Sequence, residues 1–388
     1  MQIEQIDAYV VKMPRPNVPD DASDYARPGR GLAYETSPPF GDMSAFKYSE
    51  ALFVKVICDN GLVGWGEGQS LLAPEATKAI VDRLLGPILI GENPLAREKL
   101  WDMMYATMRG RGYRSGFMAA AIAGINNALW DVSGKALDIP CYVLLGGPYR
   151  DRVRVYNNIQ GRTPEAGAQQ ALKAVEKGFD AVKYHLNRPI EKALAIVEAT
   201  REAVGPDVDI LVDLTWHYDV PGAIALGREL EKLNVFWLES PVPSEDLRRH
   251  AEVPAALDLP VCIGQEFYTA YQFRAVLEEH AADILLPDLA RAGLTGGQRI
   301  AHVAETFDIP LAPAVGAGNV LSTAAQLQLS AGILNFVIME HFEENFQWKS
   351  DFILKESLTR TGSYLELPDR PGLGIEIDEE RLMQYASK

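Results

Sequence analysis

The sequence predicts an α/β protein: a parallel barrel of eight strand–helix units set behind an α+β block. Three observations carry this. After Gly146 and Gly147, eight short apolar runs that end in polar residues recur about every 26 residues, alternating with amphipathic helical stretches. The runs are continuously apolar, as strands buried on both faces are. The GxGxxG turn that opens a doubly wound nucleotide fold is missing after the first run, and Gly296-Gly297 comes too late in the chain to supply it.

The elements follow in order. Residues 1–12 alternate. An irregular segment from Arg15 to Ser44, rich in Pro, Gly, Asp and Tyr, has no period, and a loop of that length is functional or disordered. Phe53–Cys58 reads as a strand, Asp59-Asn60-Gly61 as a hairpin turn, and Leu62–Gly66 as the return strand. From Pro74 to about Ser133 the pattern is helical and includes the small-residue run Phe117–Ala123. The barrel runs are Val153–Gln160, Phe179–Leu186, Val208–Leu214, Val235–Ser240, Pro260–Glu266, Asp283–Leu289, Ile309–Val315 and Phe336–His341. The tail, Tyr364–Lys388, holds Pro368, Pro371 and a final acidic helical segment, and is expected to fold back on the first block. The expected division is a capping domain over 1–130, a barrel over 131–355 and a returning segment over 356–388.

The chain has 388 residues, 37 Lys and Arg against 53 Asp and Glu, and a net charge of −16. That balance argues against nucleic acid or an anionic membrane as the main partner, since both reward clustered cations. It leaves an anionic small molecule open, because a metal or a local Lys can override the global sign. Cys58, Cys141 and Cys262 are odd in number and form no CxxC, which excludes a disulfide framework and a thiolate zinc site. They fit a reducing cytosol, so a cytoplasmic location is expected. The first residues do not read as a signal peptide, and no apolar stretch reaches the roughly 18 residues of a membrane span.

Chemistry in such a barrel sits at the carboxyl ends of the strands. There the runs offer Asn158 and Gln160, Lys183 and His185, Asp213, Glu239, Glu266, Asp288, Ala314 and Glu340. Asp213, Glu239 and Glu266 end three consecutive runs, 26 and 27 residues apart. Three carboxylates in one mouth repel unless a cation lies between them, and a hard oxygen set suits Mg²⁺. Each carboxylate can instead cap the following helix or pair with an Arg. Lys183 and His185 are two apart and share a face. A desolvated Lys near a divalent cation is a usable general base, and it can also serve as a structural partner for the acids. His217 can reach the mouth from a loop. Glu340 ends the eighth run and can act as an acid. His250, His280 and His302 lie in helical stretches and are expected at the surface.

These residues resemble a family. The chain is similar throughout to the enolase superfamily, and within it to the mandelate racemase subgroup that includes acid-sugar dehydratases. The matching segments are Leu52–Val56, Asp59–Glu67, Ala128–Lys135, Leu144–Gly147, Val182–His185, Asp213, Glu239-Ser240-Pro241, Gly264-Gln265-Glu266, Leu286-Pro287-Asp288, Glu340 and Pro371–Gly374. The resemblance implies a modified (β/α)₇β TIM barrel with an α+β cap. It implies Mg²⁺ on Asp213, Glu239 and Glu266, and Lys183 as the base that takes the proton α to a substrate carboxylate. Glu340 then donates to the developing charge, and Tyr25, Arg27, Arg30 and Tyr34 of the irregular loop are candidate substrate contacts. A small carboxylate substrate and a homo-oligomer are expected.

The sequence departs from the family pattern at three positions. His185 replaces the second Lys of Lys-x-Lys, Thr215 stands where Asn is usual, and Ala314 replaces the His that pairs with the sixth-run carboxylate, here Asp288. Ala cannot move protons, so the acid for a leaving hydroxyl must come from His185, His217 or a cap Tyr. The expected activity is Mg²⁺-dependent dehydration of an aldonate or aldarate to a 2-keto-3-deoxy acid. Asn157, Asn158 and Gln160 fit hydroxyl recognition, and Asp288 is a further candidate contact. The competing expectations are an epimerase, racemase or cycloisomerase of a carboxylate, and a sugar-acid-binding relative without turnover.

Overall fold

The structure is a computed structural model that describes residues 1–16, 47–70, 73–316 and 318–387. The chain opens with three strands, β1 (Ile3–Pro14), β2 (Tyr48–Cys58) and β3 (Val63–Gly68), paired antiparallel in sequence order. Next come α1 (Pro74–Ile80), a π-helical turn at Val81–Leu85, α2 (Gly86–Leu89), α3 (Arg97–Arg109), α4 (Phe117–Leu137) and α5 (Cys141–Leu144).

A glycine ladder fixes how α4 meets the sheet. Gly64, Gly66 and Gly68 share one face of β3. A Cβ on them would lie 2.3, 2.2 and 2.3 Å from the carbonyl oxygens of Ala128, Gly124 and Ala120. Period two on the strand thus meets period four on the helix, and only missing side chains allow so close an approach. The same alternation turns Trp65, Glu67 and Gln69 toward the barrel. The expected domain boundary at 130/131 falls inside a helix. It would cut α4, which stays helical to Leu137 and ends where Asp138 takes a left-handed conformation (φ 57°).

The barrel strands and helices then alternate: β4 (Arg152–Ile159), α6 (Pro164–Glu176), β5 (Ala181–His185), α7 (Ile190–Val204), β6 (Asp209–Asp213), α8 (Val220–Lys232), β7 (Trp237–Glu239) and α9 (Leu247–His250). They continue as β8 (Val261–Ile263), α10 (Ala270–Glu278), β9 (Ile284–Leu285), α11 (Leu289–Glu305), α12 (Val320–Gly332), β10 (Met339–His341) and α13 (Glu343–Ile353). Neighbours from β4 to β9 pair in parallel, and β10 closes on β4. The seventh expected run, Ile309–Val315, is not a regular strand. Only Leu311 bridges its neighbours, Leu285 and Phe336, because Pro310 and Pro313 bring no N–H to the ladder.

The returning segment adds the hairpin β11 (Arg360–Thr361) and β12 (Tyr364–Glu366) antiparallel to β4. It then reaches the cap through α14 (Glu379–Met383) and β13 (Ala386–Ser387), which pairs with β1. Asp131 of α4 joins the parts. Its carboxylate accepts from the N–H of Trp65 (2.9 Å), the N–H of Leu373 (2.9 Å) and Lys135 Nζ (2.7 Å).

Inside the barrel an apolar layer of Tyr156, Ala181, Leu211, Trp237, Cys262, Ile284, Leu286, Ala312, Ala314 and Ile338 is fully or almost fully buried. Two residues further along several strands the inward side chains become polar, at Asn158, Lys183, Asp213 and Glu239. That change of layer is the floor of the candidate site. His250 corrects an expectation of surface exposure: it is fully buried at the end of α9. His280 and His302 are exposed. Among the described residues no helix is long and apolar enough to cross a membrane.

Candidate active site

Strand register sets the geometry. His185 pairs with Asp213 and Asp213 with Glu239, so these three stand side by side at one level. Lys183 lies one pleat lower, beside Leu211 and Asn158, and its four-carbon stem lifts the amine into the acids. Its Nζ is 2.8 Å from Glu340 Oε1, 3.0 Å from both oxygens of Glu239 and 3.9 Å from Asp213 Oδ2. His185 Nε2 is 3.2 Å from Asp213 Oδ2. Glu340 is held from above, accepting from the N–H of Val315 (2.8 Å) and Gly316 (3.0 Å), and from Asn158 Nδ2 (2.9 Å).

Lys183, Asp213, Glu239 and Glu340 are all buried to within about 1% of exposure, so their charges act in a poorly screened medium. Burial pulls the Lys183 amine down, but Glu239, Glu340 and Asp213 outweigh it and hold the ammonium well above its ordinary range. Burial and the nearby Asp213 push Glu239 well up. Asp213 goes the other way, to about 2: burial raises it, but His185, Lys183 and the N–H of Thr215 more than compensate. Glu340 also falls, because Lys183 and the loop N–H of Gly316 overcome its burial. The cluster is short of positive charge, with three buried carboxylates around one ammonium, and among the described residues Asp213 Oδ2 meets only His185 Nε2 and, at 3.9 Å, Lys183 Nζ. Asp213 and Glu239, with Glu266 just past the end of the next strand, form an all-oxygen donor set of the kind a hard divalent cation takes.

Glu266 stands apart from the other acids. Its carboxylate accepts from the N–H of Gly264 (3.2 Å) and from Trp216 Nε1 (3.4 Å). Among the described residues no three His, Cys, Asp or Glu side chains converge closely enough to hold a metal ion. The expected convergence of Asp213, Glu239 and Glu266 is therefore not made in this arrangement, in which the Lys183 ammonium is the cation that Glu239 and Glu340 share.

The remaining expected residues divide. Asn158 reaches the cluster through Glu340, and its Oδ1 is buried without a partner. Gln160 is exposed, just past the end of β4. His217 is half-buried on the loop after β6, edge-on to Tyr218, and burial lowers its pKa. That loop is held by two successive left-handed residues, Thr215 (φ 51°) and Trp216 (φ 55°). Asp288 is fully buried. It caps α11 through the N–H of Ala290 (2.8 Å), and Gln69 Nε2 lies 3.4 Å from Oδ2. Burial raises its carboxyl to about 7. Tyr25, Arg27, Arg30 and Tyr34 lie outside the described residues.

Sequence reasoning missed Gln69, the N–H pair of Val315 and Gly316, and Tyr156, which lies under the Lys183 amine with Nζ 5.2 Å from its ring centroid. The alternation of Gly64, Gly66 and Gly68 was the available signal for Gln69. Backbone donors leave no signal in side-chain identity.

Two family models match the chain: "Mandelate racemase / muconate lactonizing enzyme, N-terminal domain" over residues 36–146 and "Enolase C-terminal domain-like" over residues 166–381. The chain is 35% identical over 353 residues to a D-xylonate dehydratase of Haloferax volcanii, covering 84% of this chain and 83% of that one. It is also 35% identical over 353 residues to a D-galactonate dehydratase of Variovorax paradoxus, covering 87% and 91%. Its structure is similar to the crystal structure of the 3,6-anhydro-D-galactonate cycloisomerase of Zobellia galactanivorans, with a TM-score of 0.86, 29% identity and full coverage of both chains.

Proposed function

Because the chain belongs to the mandelate racemase and muconate lactonizing enzyme family of the enolase superfamily, and is a hydro-lyase of that superfamily, we propose that it removes water from an aldonate or aldarate to give a 2-keto-3-deoxy acid. The observation that carries this reading is the buried amine of Lys183, set among Asp213, Glu239 and Glu340 at the mouth of the barrel. Asp213, Glu239 and Glu266 would hold Mg²⁺, which when bound supplies a Lewis acid for the substrate carboxylate. The similarity to two sugar-acid dehydratases supports the substrate class.

The chain's own groups divide the remaining work. Glu239 and Asp213, which help to hold Lys183 as an ammonium, are also groups that would hold Mg²⁺; freed of their charge, the neutral amine takes the proton from the carbon α to the carboxylate. The electron pair left behind becomes the new C2–C3 double bond as the C3–O bond breaks. His185 or His217 gives the departing hydroxyl a proton, so that it leaves as water, and the resulting enol tautomerises to the keto acid. His185 shares the strand and face of Lys183, so an acid at that position makes the elimination syn. Glu340, fixed by two backbone N–H groups and Asn158, keeps the amine from swinging away.

A screen of aldonic and aldaric acids for 2-keto-3-deoxy product, with and without a chelator, tests the reading. Product is expected with at least one acid, lost on chelation and restored by Mg²⁺. Lys183→Ala is expected to abolish turnover, and retention of more than about a few per cent would remove Lys183 as the base. The similarity to a cycloisomerase favours a second reading, in which the α-proton moves but no water leaves. Deuterium entering the α-carbon without 2-keto product would select it.

A further inference from the structure

Glu67 has no part in the chemistry above, yet it is a carboxylate buried to 2% exposure at the seam between cap and barrel. The glycine ladder of β3 turns it toward α12. Its Oε1 accepts from the N–H of Asn319 (2.7 Å) and from Asn319 Nδ2 (3.1 Å), and its Oε2 accepts from the N–H of Ser322 (3.0 Å). These N–H groups belong to the first turn of α12, which gets no capping bond from its own N-cap side chain, Asn319. A carboxylate supplied from another domain satisfies them and suits the positive end of the helix.

Lys349 of α13 meets the same segment from the other side. It is buried, and its Nζ donates to the carbonyl of Gly318 (3.2 Å). Burial lowers its amine to about 8, while Glu67 pulls it up and Arg15, at the end of β1, pulls it further down. Glu67 and Lys349 thus grip Gly318 and Asn319 between them. A few residues back along the same segment, the N–H groups of Val315 and Gly316 hold Glu340 Oε2, while Glu340 Oε1 lies 2.8 Å from Lys183 Nζ.

We propose that Glu67 is a positioning residue: acting from the cap with Lys349, it sets the backbone N–H pair of Val315 and Gly316 and so holds Glu340 against Lys183. The proposal rests on the reading of Lys183 as the base. Through it the cap takes part in the barrel's chemistry at a point where it supplies no reacting group.

The test is Glu67→Gln, Glu67→Asp and the double variant Glu67→Gln/Lys349→Met, which leaves no unpaired buried charge. Each is followed by hydrogen exchange at residues 313–323 and by steady-state kinetics. Glu67→Gln is expected to speed exchange at Val315 and Gly316 about tenfold or more with the rest of the barrel unchanged. It should lower kcat about tenfold or more with KM within about threefold, and Glu67→Asp should recover part of both. Unchanged exchange in a folded variant overturns the proposal, as does faster exchange with kcat intact. If Glu67→Gln does not fold, the double variant decides by the same two measurements. If the parent protein turns over no acid sugar, the base assignment fails by itself, and exchange at Val315 and Gly316 still decides whether Glu67 sets that loop.

Discussion

Acidifying this protein from pH 7 to pH 4 is expected to weaken it through one histidine. His250 is buried at the end of α9, and burial lowers its pKa from 6.5 to about 4, outweighing the nearby backbone of Ala281, which raises it. In the unfolded chain the same ring takes up a proton near pH 6.5. Between those values the unfolded state binds more protons than the folded one, so stability falls as pH drops from about 6.5 toward 4 and the penalty levels off below that. A gap of about 2.5 units at about 1.4 kcal/mol per unit makes the loss about 3 kcal/mol. The imidazole is fully buried, so solvent screening does little to reduce it. The assay is urea unfolding of the parent and of His250→Leu at pH 7, 6, 5 and 4. Other groups titrate over this range in both proteins, so the difference between the two isolates His250. Relative to the parent, His250→Leu should gain about 3 kcal/mol on going from pH 7 to pH 4. A difference constant to within about 0.5 kcal/mol across the series would refute the reasoning.

Three further substitutions probe the cap. Gly66→Ala puts a methyl 2.2 Å from the carbonyl oxygen of Gly124 and is expected to destabilise by about 3 kcal/mol in thermal unfolding. Gly110→Ala, where the new methyl meets nothing within 4 Å, should stay within about 0.5 kcal/mol. Asp131→Ala strands the buried N–H groups of Trp65 and Leu373 and removes the partner of Lys135. A loss of about 3–5 kcal/mol is expected, seen as a lower Tm, and a Tm within about 2 °C of the parent would show that these bonds hold nothing together.

The barrel was legible because its strands are buried on both faces and end at one level. Asp213 and Glu239 stand in adjacent register, and that spacing is written in the chain as one barrel unit. The run at Ile309–Val315 looked like its neighbours because apolar content shows in a sequence, while the ladder bonds that Pro310 and Pro313 cannot donate do not show in its hydrophobicity. His250 was misplaced for a related reason. A short helix of Leu247, Arg248, Arg249 and His250 reads as polar, and only the packing of the surrounding elements decides which side chain is enclosed. The site itself was half legible. Residue types at strand ends identified the acids and the amine, but which cation Glu239 and Glu340 share is set by distances of a few ångströms between four strands. The role of Asp288 as a helix cap depends on the N–H of Ala290, a group every residue but proline carries.

The glycine ladder also makes β3 a ruler with two scales. One edge is graduated against α4 by Gly64, Gly66 and Gly68, the other against the barrel by Trp65, Glu67 and Gln69. Inserting or deleting a single residue between Val63 and Gly68 would exchange the scales, driving a tryptophan or a carboxylate into the helix backbone and leaving a hydrogen atom where α12 expects its cap. These six positions should therefore tolerate length changes far less than the turn at Asp59–Gly61 that leads into them. A deep insertion scan should show that contrast as a sharp trough along β3 beside a permissive hairpin tip.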